Sequence, residues 1–175
     1  RGFPVASSIN MTASNVIDLG VPDRLDGLCK AKNIPNEKIT IEVTEGEAMR
    51  DVRRIMDVLT RLRLRGFGVA IDDFGTGYSS LRELQRMPFS SMKMDKSFVM
   101  DMMNNRDSQM IVNTIIDLGH NLNLKVVAEG VETPEVWSML KERGCDLGQG
   151  YLISKPVSFE NFLKWITENA GVFNV

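Results

Sequence analysis

Histidine and cysteine are scarce in this chain: His120 stands alone, and Cys29 and Cys145 are the two cysteines. One histidine argues against zinc-type ligation. The cysteines form neither a metal-type spacing nor a disulfide framework, so reduced cytoplasmic thiols are expected. No apolar run approaches the roughly 20 residues of a membrane span, and no signal peptide is visible. Basic runs are also lacking, and a net charge of -2 leaves no electrostatic footprint for polymeric nucleic acid. A small phosphate ligand held through metal ions needs no such footprint. Gly75, Gly77, Gly148 and Gly150 are not followed by Gly-Lys-Ser/Thr, which excludes a phosphate-cradling P-loop.

What the chain does have is an ordinary globular balance, 43% hydrophobic and 25% charged, and one conspicuous stretch. Val69-Ala70-Ile71 is a short β-type run that ends in Asp72-Asp73, followed by the glycine-interrupted loop Phe74 to Ser80. Two ionised carboxylates cost several kcal/mol to desolvate unless a cation or donor compensates them, so their placement at a strand end reads as a metal site. The plain alternative is a solvated acidic turn.

The same arrangement recurs along the chain. Val5 to Ile9 ends at Asn10; Ile39-Thr40-Ile41 ends at Glu42 and Glu45; Ser91-Met92 leads into Lys93 and Asp95; Lys125 to Ala128 ends at Glu129; Cys145 to Gly148 ends at Gln149. Helical spacing lies between them, as in Met49, Val52, Ile55, Met56, Val58, Leu59 and Leu62. Strands alternating with helices predict βα units and a parallel sheet, and right-handed crossovers bring every strand's C-terminal end to one face. Functional groups at six strand ends favour a (β/α) TIM-barrel-like fold over an open doubly wound sheet, whose ligand sits at one switch point. A complete barrel takes about 250 residues, whereas this chain has 175 and starts at Arg1. Six of eight βα units are therefore expected, with two strands' worth of barrel upstream.

These segments resemble the EAL-type cyclic-di-GMP phosphodiesterases of bacterial signalling, in the family's order and over essentially the whole chain. Ser8-Ile9-Asn10-Met11-Thr12 is similar to the strand that ends in a metal-binding Asn, and Ile41-Glu42-Val43-Thr44-Glu45 to the Glu-Leu-Thr-Glu motif. Asp72 to Leu81 matches the family's most recognisable signature without a gap. Met92 to Val99 follows its Lys-x-Asp-Arg-Ser-Phe segment with Lys96 in place of Arg, and Val127 to Thr133 and Gln149 to Pro156 complete the series. The Glu-Ala-Leu triplet that names the family is absent from these residues, so residues 1–175 are expected to be one EAL domain fragment. As an isolated fragment it is expected to be inactive.

The resemblance implies a cytoplasmic hydrolase domain, in a parent that is membrane-anchored or not, which opens cyclic-di-GMP to linear 5'-pGpG with Mg²⁺ or Mn²⁺. Hard cations favour carboxylate and amide oxygens, and two of them roughly 4 Å apart suit phosphodiester hydrolysis. Asn10, Glu42 and Asp72 would hold one ion together with the upstream Glu, and Asp73, with Asp72 bridging or adjacent, the second. Lys93 would position water and offset phosphate charge, and Glu129 is the candidate general base. Glu45 would order the loop shaped by Thr76, Tyr78 and Ser79, and Gln149 would hydrogen-bond ligand or water. Asp95 and Glu132 have either a supporting role or an ordinary one at a helix start. The implied partners are a second copy of the chain and fused sensory or diguanylate-cyclase-type domains. The alternative is a non-catalytic member that binds the dinucleotide, or only a protein, and relays a signal.

Other features read simply. His120 suits the C-terminal end of a helix. The eleven methionines suit core filling or a soft surface. Arg50, Arg53, Arg54, Arg61, Arg63 and Arg65 suit a solvated helix face.

Overall fold

The computed structural model describes residues 5–77 and 80–169. Chain order is β1 (Ser7–Asn10), α1 (Ala13–Val16), α2 (Val21–Ala31), β2 (Ile39–Thr44), α3 (Glu45–Ala48), α4 (Val52–Leu64), β3 (Gly68–Phe74) and α5 (Leu81–Arg86). It continues with β4 (Ser91–Met94), α6 (Lys96–Asp101), α7 (Arg106–Asn121), β5 (Lys125–Glu129), α8 (Pro134–Glu142), β6 (Leu147–Gln149) and α9 (Phe159–Glu168). The six strands pair in sequence order, every neighbouring pair parallel. The sheet curls as an α/β half-barrel, the architecture expected from the alternation of strand and helix signals. β1 and β6 are its two edges and share no ladder among the described residues.

Alternation along each strand divides the sheet into two faces. Ile41, Val43, Val69, Ile71, Met92, Met94, Val126 and Ala128 are all essentially inaccessible and form the main core with the helices. The intervening residues, among them Thr40, Glu42, Ala70, Lys93, Val127 and Gln149, line the concave side around a cavity of about 520 Å³. A concave face that carries the charged groups Glu42 and Lys93 and a wholly apolar face packed against the helices thus come from one two-residue period.

Helix α4 shows how sequence pattern becomes packing. Ile55, Val58, Leu59 and Leu62 sit at i, i+3, i+4 and i+7 and are buried, each such side chain contributing about 1.5–3 kcal/mol. Asp51 caps the first turn by accepting from the Arg54 amide at 3.3 Å. Just past the helix, Gly66 has a φ of +90° that lets the Phe67 amide fold back onto the Leu62 carbonyl at 3.1 Å. Arg53, Arg54, Arg61 and Arg63 lie on the solvated face, as their spacing predicts. The helical pattern that begins at Met49 in the sequence is divided here, because α3 ends at Ala48 and α4 begins at Val52. No helix among the described residues is long and apolar enough to cross a membrane.

Candidate active site

Parallel pairing gathers the strand ends at one rim. Asn10 is in register with Glu42, Thr44 with Asp72, and Glu129 with Gln149. Lys93, one residue before the end of β4, reaches across the concave face. Its Nζ lies 2.9 Å from Glu42 Oε2, 2.8 Å from Asp72 Oδ1 and 2.7 Å from Glu129 Oε1. Only 7% of the lysine side chain is accessible, so the ammonium exchanges most of its hydration for three carboxylates. Burial alone disfavours its charge, but the contacts to Asp72, Glu129 and Glu42 outweigh that and raise its pKa above the ordinary lysine value.

Asp73 adds a fourth carboxylate. Oxygens of Asp72, Asp73 and Glu129 all lie within 4.8 Å of one another. The charges do not balance. Desolvation raises the pKa of Asp73, reinforced by Asp72 and Asp95 against Lys93 and Lys96. Desolvation also raises that of Glu129, against the Lys93 hydrogen bond and attraction and with repulsion from Asp72 and Asp73.

The loop after β3 is tied to the start of α3 by Glu45. Its Oε2 accepts from the amides of Gly75 at 3.0 Å and Gly77 at 3.1 Å, and only 3% of the residue is accessible. Gly77 is needed here for space, because a Cβ would come within 2.9 Å of the Glu45 carboxyl carbon. Thr76 Oγ1 donates to the Asp73 carbonyl at 2.9 Å. Tyr78 and Ser79, the other residues expected to shape this loop, lie outside the described residues.

Asp95 caps α6, accepting from the Ser97 amide and hydroxyl, and its charge also acts on Asp73. The ordinary helix-start role and proximity to the cluster coexist in it. Glu132 is exposed between β5 and α8, and Asn10 and Gln149 are exposed at the ends of the two edge strands. Beside Gln149 a second cavity of about 650 Å³ is lined by Tyr151, Phe159, Phe162 and Trp165 and holds no carboxylate among the described residues. The charged groups gather around Lys93 instead. His120, in the last turn of α7, pairs with Asp146 at 3.0 Å, consistent with its plain reading. Met92, Met94 and Met102 are core, while Met100, Met103 and Met110 are exposed.

Two features of the site are not apparent from motif order. Asp73 adopts a φ of +53° in a segment where the β3–β4 register shifts between Ile71 and Phe74. Asp146, expected inside the last strand, precedes β6 and instead accepts from the Val126 amide at 2.8 Å. The signal available for the first was the residue type, since Asp tolerates the left-handed region better than most.

The donor set suits hard divalent cations. It is all oxygen and carries excess negative charge. Asp72 Oδ1 is completely buried and makes no directed hydrogen bond, although the ammonium nitrogen is close to it. That oxygen pairs with the Lys93 ammonium 2.8 Å away and, as a carboxylate oxygen, is also of the type that hard divalent cations take as a ligand.

Residues 1–156 match the EAL domain family. A cyclic di-GMP phosphodiesterase of Pseudomonas aeruginosa is 36% identical over 166 residues, which are 95% of this chain and 28% of that protein. The bifunctional diguanylate cyclase/cyclic di-GMP phosphodiesterase MucR of the same organism is 38% identical over 156 residues, 89% of this chain and 23% of that protein. Among solved structures, the PaMucR phosphodiesterase in complex with c-di-GMP superposes with a TM-score of 0.85 at 38% identity, covering 90% of this chain and 64% of that one. The EAL domain of Mycobacterium smegmatis DcpA gives 0.87 at 34% identity, covering 93% and 73%. The chain therefore spans under a third of the length of these two curated relatives.

Proposed function

This chain belongs to the EAL domain family, and from that premise we propose that the intact protein is a metal-dependent phosphodiesterase that hydrolyses cyclic-di-GMP to linear pGpG. The observation that carries this reading is the convergence of Asp72, Asp73 and Glu129 at the strand ends, two of them paired with the buried Lys93. The relatives named as cyclic di-GMP phosphodiesterases and the dinucleotide bound in a similar structure support it.

Asn10, Glu42 and Asp72 would hold one divalent cation and Asp73, with Asp72, a second, with the Glu of an upstream Glu-Ala-Leu as a further ligand. Such cations, when bound, acidify water and neutralise charge on the phosphodiester. The chain's own residues supply the remaining functions. Lys93 presents an ammonium to the phosphate oxygens. Glu129, whose pKa burial raises, is suited to take a proton from the attacking water. Water delivers hydroxyl to phosphorus, the bond to one bridging ribose oxygen breaks, and that oxygen leaves with a proton. Glu45 keeps the loop after Asp73 in place, and Gln149, in register with Glu129, offers an amide at the same rim.

The exposed edges β1 and β6 support a domain completed by two upstream strands. The relatives' greater length supports further sensory or diguanylate-cyclase-type domains, and the intact protein is proposed to act as a homodimer. The test is a chromatographic assay of the full-length protein with cyclic-di-GMP and Mg²⁺ or Mn²⁺, beside Asp72→Asn. Metal-dependent release of linear dinucleotide, lost in the variant, is the expected result. Tight binding without product would move the protein to the receptor class.

A further inference from the structure

One ammonium stands among four carboxylates: Glu42, Asp72, Asp73 and Glu129. Three of these touch Lys93 Nζ within 2.9 Å, and they come from β2, β3 and β5, while Lys93 itself comes from β4. Without a positive charge at their centre, these carboxylates would repel one another across a poorly solvated face. Lys93 is thus placed to offset the charge of the cluster. The same oxygens, Asp72 Oδ1 foremost, are the ones a divalent cation would claim.

We infer that Lys93 is a tethered stand-in for the metal: it holds Glu42, Asp72 and Glu129 together in the cation-free protein and must give up part of this contact for a cation to load. This rests on the two-cation reading above. Divalent-cation loading then has a second consequence, because an ammonium released from Asp72 and Glu42 becomes available to a phosphate oxygen. Lys93 meets the substrate only after the cations have arrived, so cation binding and readiness for the dinucleotide are one event. Apparent metal affinity is set partly by the competing lysine and not by the carboxylates alone.

The test is calorimetric titration of the full-length protein with Mn²⁺ in three forms: parent, Lys93→Met and Lys96→Met. Lys96 also acts electrostatically on Asp73 but is exposed and forms no ion pair with the cluster, so its loss controls for a general change of charge. Lys93→Met is expected to lower the Kd for Mn²⁺ at least about tenfold, since opposed charges a few ångströms apart interact strongly at protein-like dielectric constants. Lys96→Met is expected to change it less than about threefold, as solvation screens an exposed charge. In parent protein carrying ¹⁵N-lysine, the Lys93 Nζ resonance, assigned by its loss in Lys93→Arg, should move in step with Mg²⁺ saturation.

A Lys93→Met variant that binds Mn²⁺ no more tightly than a metal-binding parent overturns the inference and leaves the two-cation site standing. An Nζ resonance that stays fixed through saturation overturns it in the same way, even if Lys93→Met does not fold. Failure of both parent and variant to bind Mn²⁺ overturns the inference and the two-cation reading together.

Discussion

Asp72 and Asp73 are adjacent in sequence, yet each brings a carboxylate oxygen within 4.8 Å of the other and of Glu129. Neighbours in a regular strand face opposite sides of the sheet. Here the φ of +53° at Asp73 breaks that alternation, and the register across to β4 absorbs the irregularity, with Ile71 opposite Met92 but Phe74 opposite Met94. Three steps along β3 match two along β4, so β3 carries one extra residue. The site is therefore built on a backbone device as well as on side-chain chemistry.

Asp72→Asn should lower metal-supported turnover of the full-length protein by at least about 100-fold, the upper end of what even a metal's outer partners cost. The fold should persist, because an amide has nearly the same shape. Circular dichroism beside the product assay decides this; turnover near the parent level would remove Asp72 from the metal site.

Asp73→Asn and Asp73→Val separate the backbone from the carboxylate. Asn tolerates the left-handed region, whereas a β-branched residue there costs about 1–3 kcal/mol. Both variants should lose activity, but only Asp73→Val should lower the unfolding midpoint clearly. Equal midpoints in a denaturant melt would show that the conformation at this position carries no such cost.

Glu45→Ala removes the acceptor shared by the Gly75 and Gly77 amides. Water replaces it in part, because both glycines are exposed, and the expected loss of stability is about 1 kcal/mol. The larger effect should be a weaker thermal response to Mn²⁺, as the loop beginning at Asp73 loses its anchor. An unchanged response would break the link between Glu45 and metal binding.

Asp146→Ala leaves the buried Val126 amide without its acceptor, at a cost of about 1–3 kcal/mol near neutral pH. Burial works to raise the Asp146 pKa, but the Val126 and His120 hydrogen bonds prevail and hold it below the ordinary aspartate value of 3.8. Stability from this shift is fully present above that value and is lost as pH falls through the lower folded value. The difference in midpoint between parent and variant should accordingly shrink as pH is taken from 7 to below 3.8. A difference that is constant with pH would show that the carboxylate's charge is irrelevant there.

The alternation of β-type runs with helical spacing, read from residues such as Ile39 to Glu42 and Ile55 to Leu62, determined the parallel βα architecture, because both periods are local properties of the chain. It also determined that Glu42, Asp72, Lys93, Glu129 and Gln149 would reach one rim, since right-handed crossovers send every strand end the same way. Tertiary structure alone decided who meets whom there. Lys93 joins Glu42, 51 residues away, to Asp72 and Glu129, through strand registers that pattern does not specify. Glu45 selects Gly75 and Gly77, and Asp146 selects Val126, for the same reason. Hydrophobic periodicity depends on neighbours three or four residues away, whereas an ion pair between strands depends on register, curl and one irregular φ, which exist only once the sheet has formed.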